Sequence, residues 1–177
     1  MRDEYFLNPQ KASLAVSVAS NEIKILKKLP KKSCSIYISI PFCPSRCAYC
    51  SFVSYTTKRL LSMIDEYLDA MIVDLDSTLR IVREIKELFE AIDRNGLNVK
   101  TVYIGGGTPT TLSPSQLKKL LRKVSENIDT SKLLEFTLEA GRPDTVDEEK
   151  LQVIKKHGIT RISINPQSAY ITRMSPL

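Results

Sequence analysis

Ser35-Ile36-Tyr37-Ile38-Ser39-Ile40 alternates polar and apolar side chains, and Pro41-Phe42-Cys43-Pro44-Ser45-Arg46-Cys47-Ala48-Tyr49-Cys50 follows at once. Strict alternation over six residues predicts a strand with one buried face. The decapeptide after it carries three thiols spaced C-x3-C-x2-C, so they belong to a tight loop leaving that strand's C-terminal end. Cys34, the fourth cysteine of the chain, precedes the strand.

Moving outward, three more segments alternate in the same way: Thr101–Ile104, Leu134–Glu139 and Ile159–Asn165. Helical patterns separate them. Apolar residues at 61, 64, 68, 71/72, 75, 79, 82, 85, 89 and 92 predict one long helix, or two broken near Ser77-Thr78. Ser113-Pro114-Ser115-Gln116 opens the next, with Ser113 as cap, Pro114 at the first helical position and Gln116 completing a capping box. A third is expected from Thr145-Val146-Asp147-Glu148, a second such box, and ends with Lys155, Lys156 and His157 before Gly158. Before the first strand, residues 10–29 read as a modestly amphipathic helix closed by Leu29-Pro30. The order βαβαβαβ points to a parallel sheet with right-handed crossovers.

Strands of an open parallel sheet covered on both faces are apolar nearly throughout. Here Ile36, Ile38, Ile40, Val102, Ile104, Leu134, Phe136, Leu138, Ile162 and Ile164 share one parity, which helices would cover. Tyr37, Ser39, Tyr103, Glu135, Thr137, Glu139, Arg161, Ser163 and Asn165 share the other. A polar second face suits the interior of a ligand-filled barrel, with functional groups at the strands' C-terminal ends. The fold class expected is therefore α/β, a partial parallel (β/α) barrel of about four βα units preceded by an N-terminal helix. At about 33 residues per unit an eight-unit barrel needs on the order of 260 residues, so the chain is expected to be a fragment.

The 177 residues are 42% hydrophobic and 26% charged, with six glycines and no tryptophan, which excludes a disordered tail, a collagen-like fibre and a disulfide-rich miniprotein. No apolar run approaches the roughly 20 residues of a membrane span. Met1-Arg2-Asp3-Glu4 lacks the apolar core of a secretory signal, so a cytoplasmic location is expected. The net charge of +6 is concentrated in residues 1–34, where seven Lys/Arg face three acidic residues, and the remainder is nearly balanced. That distribution favours a basic N-terminal helical extension over 1–34 and a core domain over 35–177. It does not suit a nucleic-acid-binding surface.

Close thiols in a chain without a secretion signal read as metal ligands. Cys43, Cys47 and Cys50 would leave one iron of a cubane iron–sulfur cluster open to a substrate or cofactor. The alternative is structural zinc with Cys34 as fourth thiolate, although a six-residue strand of about 20 Å would hold Cys34 away from the trio. Gly105-Gly106-Gly107-Thr108-Pro109-Thr110, straight after the second strand, lets backbone approach a ligand closely. It is neither G-x-G-x-x-G nor a P-loop. Glu139 and Gln167 fall at strand ends, where a barrel presents ligand contacts.

Taken together, Tyr37–Cys43, Cys47, Tyr49, Cys50, Gly105–Thr110, Glu139 and Arg161–Gln167 resemble the radical S-adenosylmethionine superfamily. Within it they resemble the oxygen-independent coproporphyrinogen III oxidase family, nearest its coproporphyrinogen dehydrogenase branch. The resemblance implies a 4Fe–4S cluster on Cys43, Cys47 and Cys50, with the open iron taken by S-adenosylmethionine. Gly106, Gly107 and Thr108 would hold that cofactor's amino group, and Tyr37, Tyr49, Glu139 and Gln167 would make further contacts. It implies a 5′-deoxyadenosyl radical that takes hydrogen from a propionate of a porphyrinogen substrate. It also implies an electron donor of flavodoxin or ferredoxin type. Phe52 stands where the best-known oxidases have a further Cys, and Ser39 where they have His. Phe52 matches relatives regarded as haem chaperones as well as the dehydrogenase branch, and Glu139–Thr145 and Asn165-Pro166-Gln167 look more like the dehydrogenase branch. A haem-binding protein without decarboxylase activity, or an inactive fragment, are the alternatives.

Overall fold

Ile36, Ile38 and Ile40 are buried while Tyr37 and Ser39 are exposed, so β1 (Ser33–Ile40) turns one face inward as its alternation requires. The structure, a computed structural model, describes residues 8–29, 32–52, 54–93 and 98–165. β2 (Asn98–Gly106), β3 (Glu135–Glu139) and β4 (Arg161–Ser163) join β1 in one sheet of order β1-β2-β3-β4. The β2–β3 and β3–β4 ladders are parallel, with Val102 opposite Phe136, Ile104 opposite Leu138, and Leu138 opposite Ile162. Each crossover moves to the next position without reversing. That is the winding of a (β/α) barrel and not of a doubly wound sheet, which changes direction at a switch point.

Between β1 and β2 lie a short helix, α2 (Lys58–Leu61), and a long one, α3 (Ile64–Asp93); α4 (Pro114–Asn127) and α5 (Glu148–Lys156) fill the next two crossovers. The long apolar period is thus one helix from Ile64. Ser77 lies inside it, its hydroxyl satisfied by donating back to the Val73 carbonyl at 3.0 Å. Leu61 sits instead on α2, whose cap is Thr57. Ser113 and Gln116 form the expected reciprocal capping box of α4. The start of α5 differs from expectation: Asp147, not Thr145, accepts from the Lys150 amide at 2.8 Å. Thr145 is drawn away by the carbonyl of Arg142 and the hydroxyl of Thr110.

Phe136, Leu138, Val102, Ile104 and Ile40 from the sheet pack with Leu68, Leu75, Leu79, Leu117, Leu120, Leu121 and Val124 from α3 and α4, and with Ile154 from α5. Three residues of the apolar parity depart from this. Leu134 lies before β3, and Ile162 and Ile164 lie on or beside β4, which has a neighbour on one side among the described residues; all three are exposed. β1 also begins at Ser33, placing Cys34 inside the strand, and β2 extends through Gly106.

The chain divides into two units, Met1–Ser33 and Cys34–Leu177. In the first, α1 (Pro9–Lys28) is capped by Asn8, whose side chain accepts from the Gln10 amide at 2.9 Å. It ends with Lys27 and Lys28, favourably placed at the negative end of the helix dipole. No helix among the described residues is long and apolar enough to cross a membrane.

A thiol-lined cavity at the C-terminal end of the sheet

At the end of β1 the chain turns through Pro41 and Phe42 and closes a loop on itself. The Tyr55 amide donates to the Pro41 carbonyl at 2.7 Å and the Cys43 amide to the Tyr55 carbonyl at 3.1 Å. Phe42 anchors this loop, buried against the Tyr67 ring edge-on at 5.2 Å and against Tyr55 at 6.1 Å. The loop carries Cys43, Cys47 and Cys50, all free thiols, and the Cys50 amide donates to the Cys47 carbonyl at 3.0 Å.

The glycine-rich turn after β2 docks beside it, with the Gly107 amide on the Ile40 carbonyl at 2.8 Å and the Thr108 amide on the Phe42 carbonyl at 2.9 Å. Two of its glycines are required by geometry. Gly106 has φ +113°, a conformation that L side chains rarely adopt. A Cβ on Gly107 would stand 2.8 Å from the Phe42 carbonyl oxygen and 2.9 Å from Cys43 Sγ. The Thr108 hydroxyl, buried, lies 3.2 Å from Cys43 Sγ. Burial raises the pKa of the Cys43 thiol, an effect opposed by the Thr108 hydrogen bond and by the charge of Arg142.

β3 supplies the third part. Tyr103 on β2 donates to Glu139 Oε1 at 2.6 Å and stacks on Tyr37 of β1 at 5.8 Å with rings 15° apart. Desolvation, followed by the hydrogen bond to the Glu139 carboxylate, pushes the Tyr103 pKa up to about 12. Tyr37 is raised in the same direction by burial and by Glu139. Beyond β3, Arg142 reaches back across the cavity: Nη1 donates to Ser45 Oγ at 2.6 Å, while Nε and Nη2 hold both carboxylate oxygens of Asp144 at 3.0 and 2.8 Å. Lys150 of α5 fastens the turns after β2 and β3 together, donating to the carbonyls of Thr110 at 2.9 Å and Thr145 at 2.8 Å.

The result is one cavity of about 350 Å³ lined by Cys43, Cys47, Cys50, Tyr37, Tyr49, Gly106, Gly107, Thr108 and Glu139, together with Ser45, Ser54 and Arg142. Every site residue expected from the sequence lines it except Gln167, which lies outside the described residues. Cys34 is at the opposite end of β1 and lines none of it. Sequence reasoning gave Tyr103 only its parity and missed Arg142 and Ser45. The signal available was local: Arg142-Pro143-Asp144 sets a cation and an anion two residues apart directly after a strand.

A parallel (β/α) sheet whose strand ends present three thiols and a glycine cradle defines a cofactor-binding fold, and a family comparison says which one. The superfamily profile described as radical SAM matches residues 37–172, and the chain belongs to that superfamily. The oxygen-independent coproporphyrinogen-III oxidase-like protein HemZ of Bacillus subtilis is 34% identical over 171 residues, covering 95% of this chain and 32% of that protein. The heme chaperone HemW of the same organism is 38% identical over 136 residues, 76% of this chain and 32% of that one. Among solved structures, coproporphyrinogen III oxidase (HemN) from Escherichia coli matches with TM-score 0.54 and 25% identity over 80% of this chain and 30% of that chain. The chain thus spans about a third of the length of the curated relatives it matches.

The cofactors of the superfamily are a 4Fe–4S cluster and S-adenosylmethionine, and the residues present fit both. Among the described residues no group of three or more His, Cys, Asp or Glu converges on one metal-ion position. Ser54 lines the cavity with a buried hydroxyl that has no partner among the described residues, and Gly107, with no Cβ, lets the glycine turn pack directly against Cys43 Sγ at the cavity wall.

Proposed function

We propose that residues 35–177 form the cluster- and cofactor-binding part of a cytoplasmic radical SAM enzyme of haem biosynthesis. Its reaction would be the oxygen-independent oxidative decarboxylation of coproporphyrinogen III to protoporphyrinogen IX. The observation that carries this is the convergence of three free thiols, the Gly106–Thr108 turn and the Tyr37–Tyr103–Glu139 group on one cavity. When bound, the cluster and S-adenosylmethionine supply one-electron radical chemistry, fed by a donor of flavodoxin or ferredoxin type. Cys43, Cys47 and Cys50 hold the cluster. Gly106, Gly107 and Thr108 present backbone and a hydroxyl to the amino acid end of the nucleotide, and Tyr37, Tyr49 and Glu139 bound the rest. The basic segment 1–34 is a separate extension.

A second reading is supported by the relatives themselves, since several heme chaperones share 31 to 38% identity with this chain. In that reading the protein keeps the cluster and transfers haem without removing a propionate.

Anaerobic reconstitution with iron and sulfide tests the shared part. The chain should take up both and show a broad visible absorption that bleaches with dithionite, and Cys43→Ala, Cys47→Ala or Cys50→Ala should each abolish it. Stoichiometric zinc without acid-labile sulfide would overturn the proposal. With the complete protein, conversion of propionate to vinyl groups selects the decarboxylase, and haem transfer with both propionates intact selects the chaperone.

A further inference from the structure

Arg142 makes a contact that the proposed cofactor binding does not require. Its guanidinium crosses 97 residues of sequence to reach Ser45, at the centre of the Cys43-x3-Cys47 loop, through the Oγ at 2.6 Å and the carbonyl at 3.3 Å. On its other edge it grips Asp144 with two hydrogen bonds, a fork-to-carboxylate geometry that fixes the plane of the group. The side chain is only 19% exposed, so its charge acts through poorly screened surroundings. Asp144 raises the Arg142 pKa, while Asp144 itself is lowered by its partner. The guanidinium is charged at any physiological pH, and its hydrogen bond to Ser45 sets it against the loop that joins Cys43 to Cys47.

We propose, resting on the cluster reading above, that Arg142 is a positioning residue with two tasks. It clamps the cysteine loop at Ser45, and it supplies a positive charge that eases one-electron reduction of the cluster, with Asp144 moderating that charge. Reduction adds one electron from a low-potential donor and so one negative charge to the cluster. A fixed cation held on the loop between two of the ligands stabilises the product of that step more than its starting state, which raises the reduction potential. The two partners then have opposite signs of effect: removing the cation lowers the potential, and removing its counter-anion raises it.

The test compares Arg142→Met, Arg142→Lys and Asp144→Asn with the parent chain after anaerobic reconstitution. Iron and acid-labile sulfide are measured first, and then the midpoint potential by dithionite titration followed by EPR. Arg142→Met should make the cluster harder to reduce by about tenfold in the equilibrium constant, which is about 59 mV for one electron. Asp144→Asn should shift the potential the opposite way. Arg142→Lys keeps the charge but not the fork, so its potential should stay nearer the parent while its cluster is lost faster in air. A purely structural role would move both neutralising variants the same way or neither. Either result at parent iron and sulfide content overturns the inference. If Arg142→Met holds no cluster, the upward shift of Asp144→Asn decides, and its absence overturns the inference. A parent chain that takes up no cluster overturns the site reading instead, and that appears in the iron and sulfide analysis before any potential is measured.

Discussion

Tyr103 of β2 links the three strands that build the cavity, stacking on Tyr37 of β1 and donating to Glu139 of β3. Its hydrogen bond to Glu139 requires the neutral form, and burial disfavours the phenolate. Folding therefore raises its pKa from 10.0 to about 12. Below the ordinary value both folded and unfolded chains carry the proton and nothing changes with pH. As pH rises from there towards the folded value the unfolded chain loses its proton first, so stability falls across that window. An alkaline absorbance titration of the parent minus Tyr103→Phe should show a phenol ionising near 12, and Tyr103→Phe should lose less stability over the same pH range. Coincident titration curves would sink this. At this scale the sequence placed Tyr103 on the right face, but its partner is 36 residues away and only the sheet register brings the two together.

α4 shows which part of an element is written locally. Its capping box satisfies two otherwise orphaned amides with residues three apart, which is why Ser113 and Gln116 could be read directly. Ser113→Ala should cost about 1 kcal/mol of unfolding free energy in urea, and Ser113→Asp should restore most of it. An unchanged midpoint for Ser113→Ala would contradict the cap. The start of α5 was not legible in the same way, because Thr145 and Asp147 are both competent caps two residues apart. The choice falls to Asp147 because Thr145 is engaged by Thr110 and Arg142, contacts that exist only in the folded chain. The seam between α3 and α4 is likewise tertiary: Asp65 accepts from Gln116 at 2.6 Å, Asp69 pairs with Lys119, and Asp76 with Lys123 at 2.8 Å. Such exposed pairs contribute little each and serve mainly to set the helix alignment.

Over the whole of the Cys34–Leu177 unit, the core and the cavity are two faces of one sheet. Phe136, fully buried, fills the side covered by helices, while Glu139, three residues on, ends the same strand at the cavity. Phe136→Ala should lower the unfolding free energy by about 3 to 5 kcal/mol, read from the denaturant midpoint. A loss below about 1 kcal/mol would mean that the helices do not pack on that face as described. The loops that build the site depend on the same packing, since Lys150 on α5 ties the turns after β2 and β3.

The sequence alone determined the strand–helix order, the two-faced strands, the thiol spacing and the glycine turn, because each is a short-range pattern fixed by backbone period or by residues within one loop. It also sufficed to keep Cys34 from the trio, since a strand has a fixed rise per residue. Tertiary structure decided the rest: the clamp from Arg142 to Ser45, the Tyr37–Tyr103–Glu139 group, the cap of α5, and the exposure of Ile162 and Ile164. Each of these joins groups brought together by sheet register or crossover packing, or follows from β4 having a neighbour on one side among the described residues. No local periodicity carries that information.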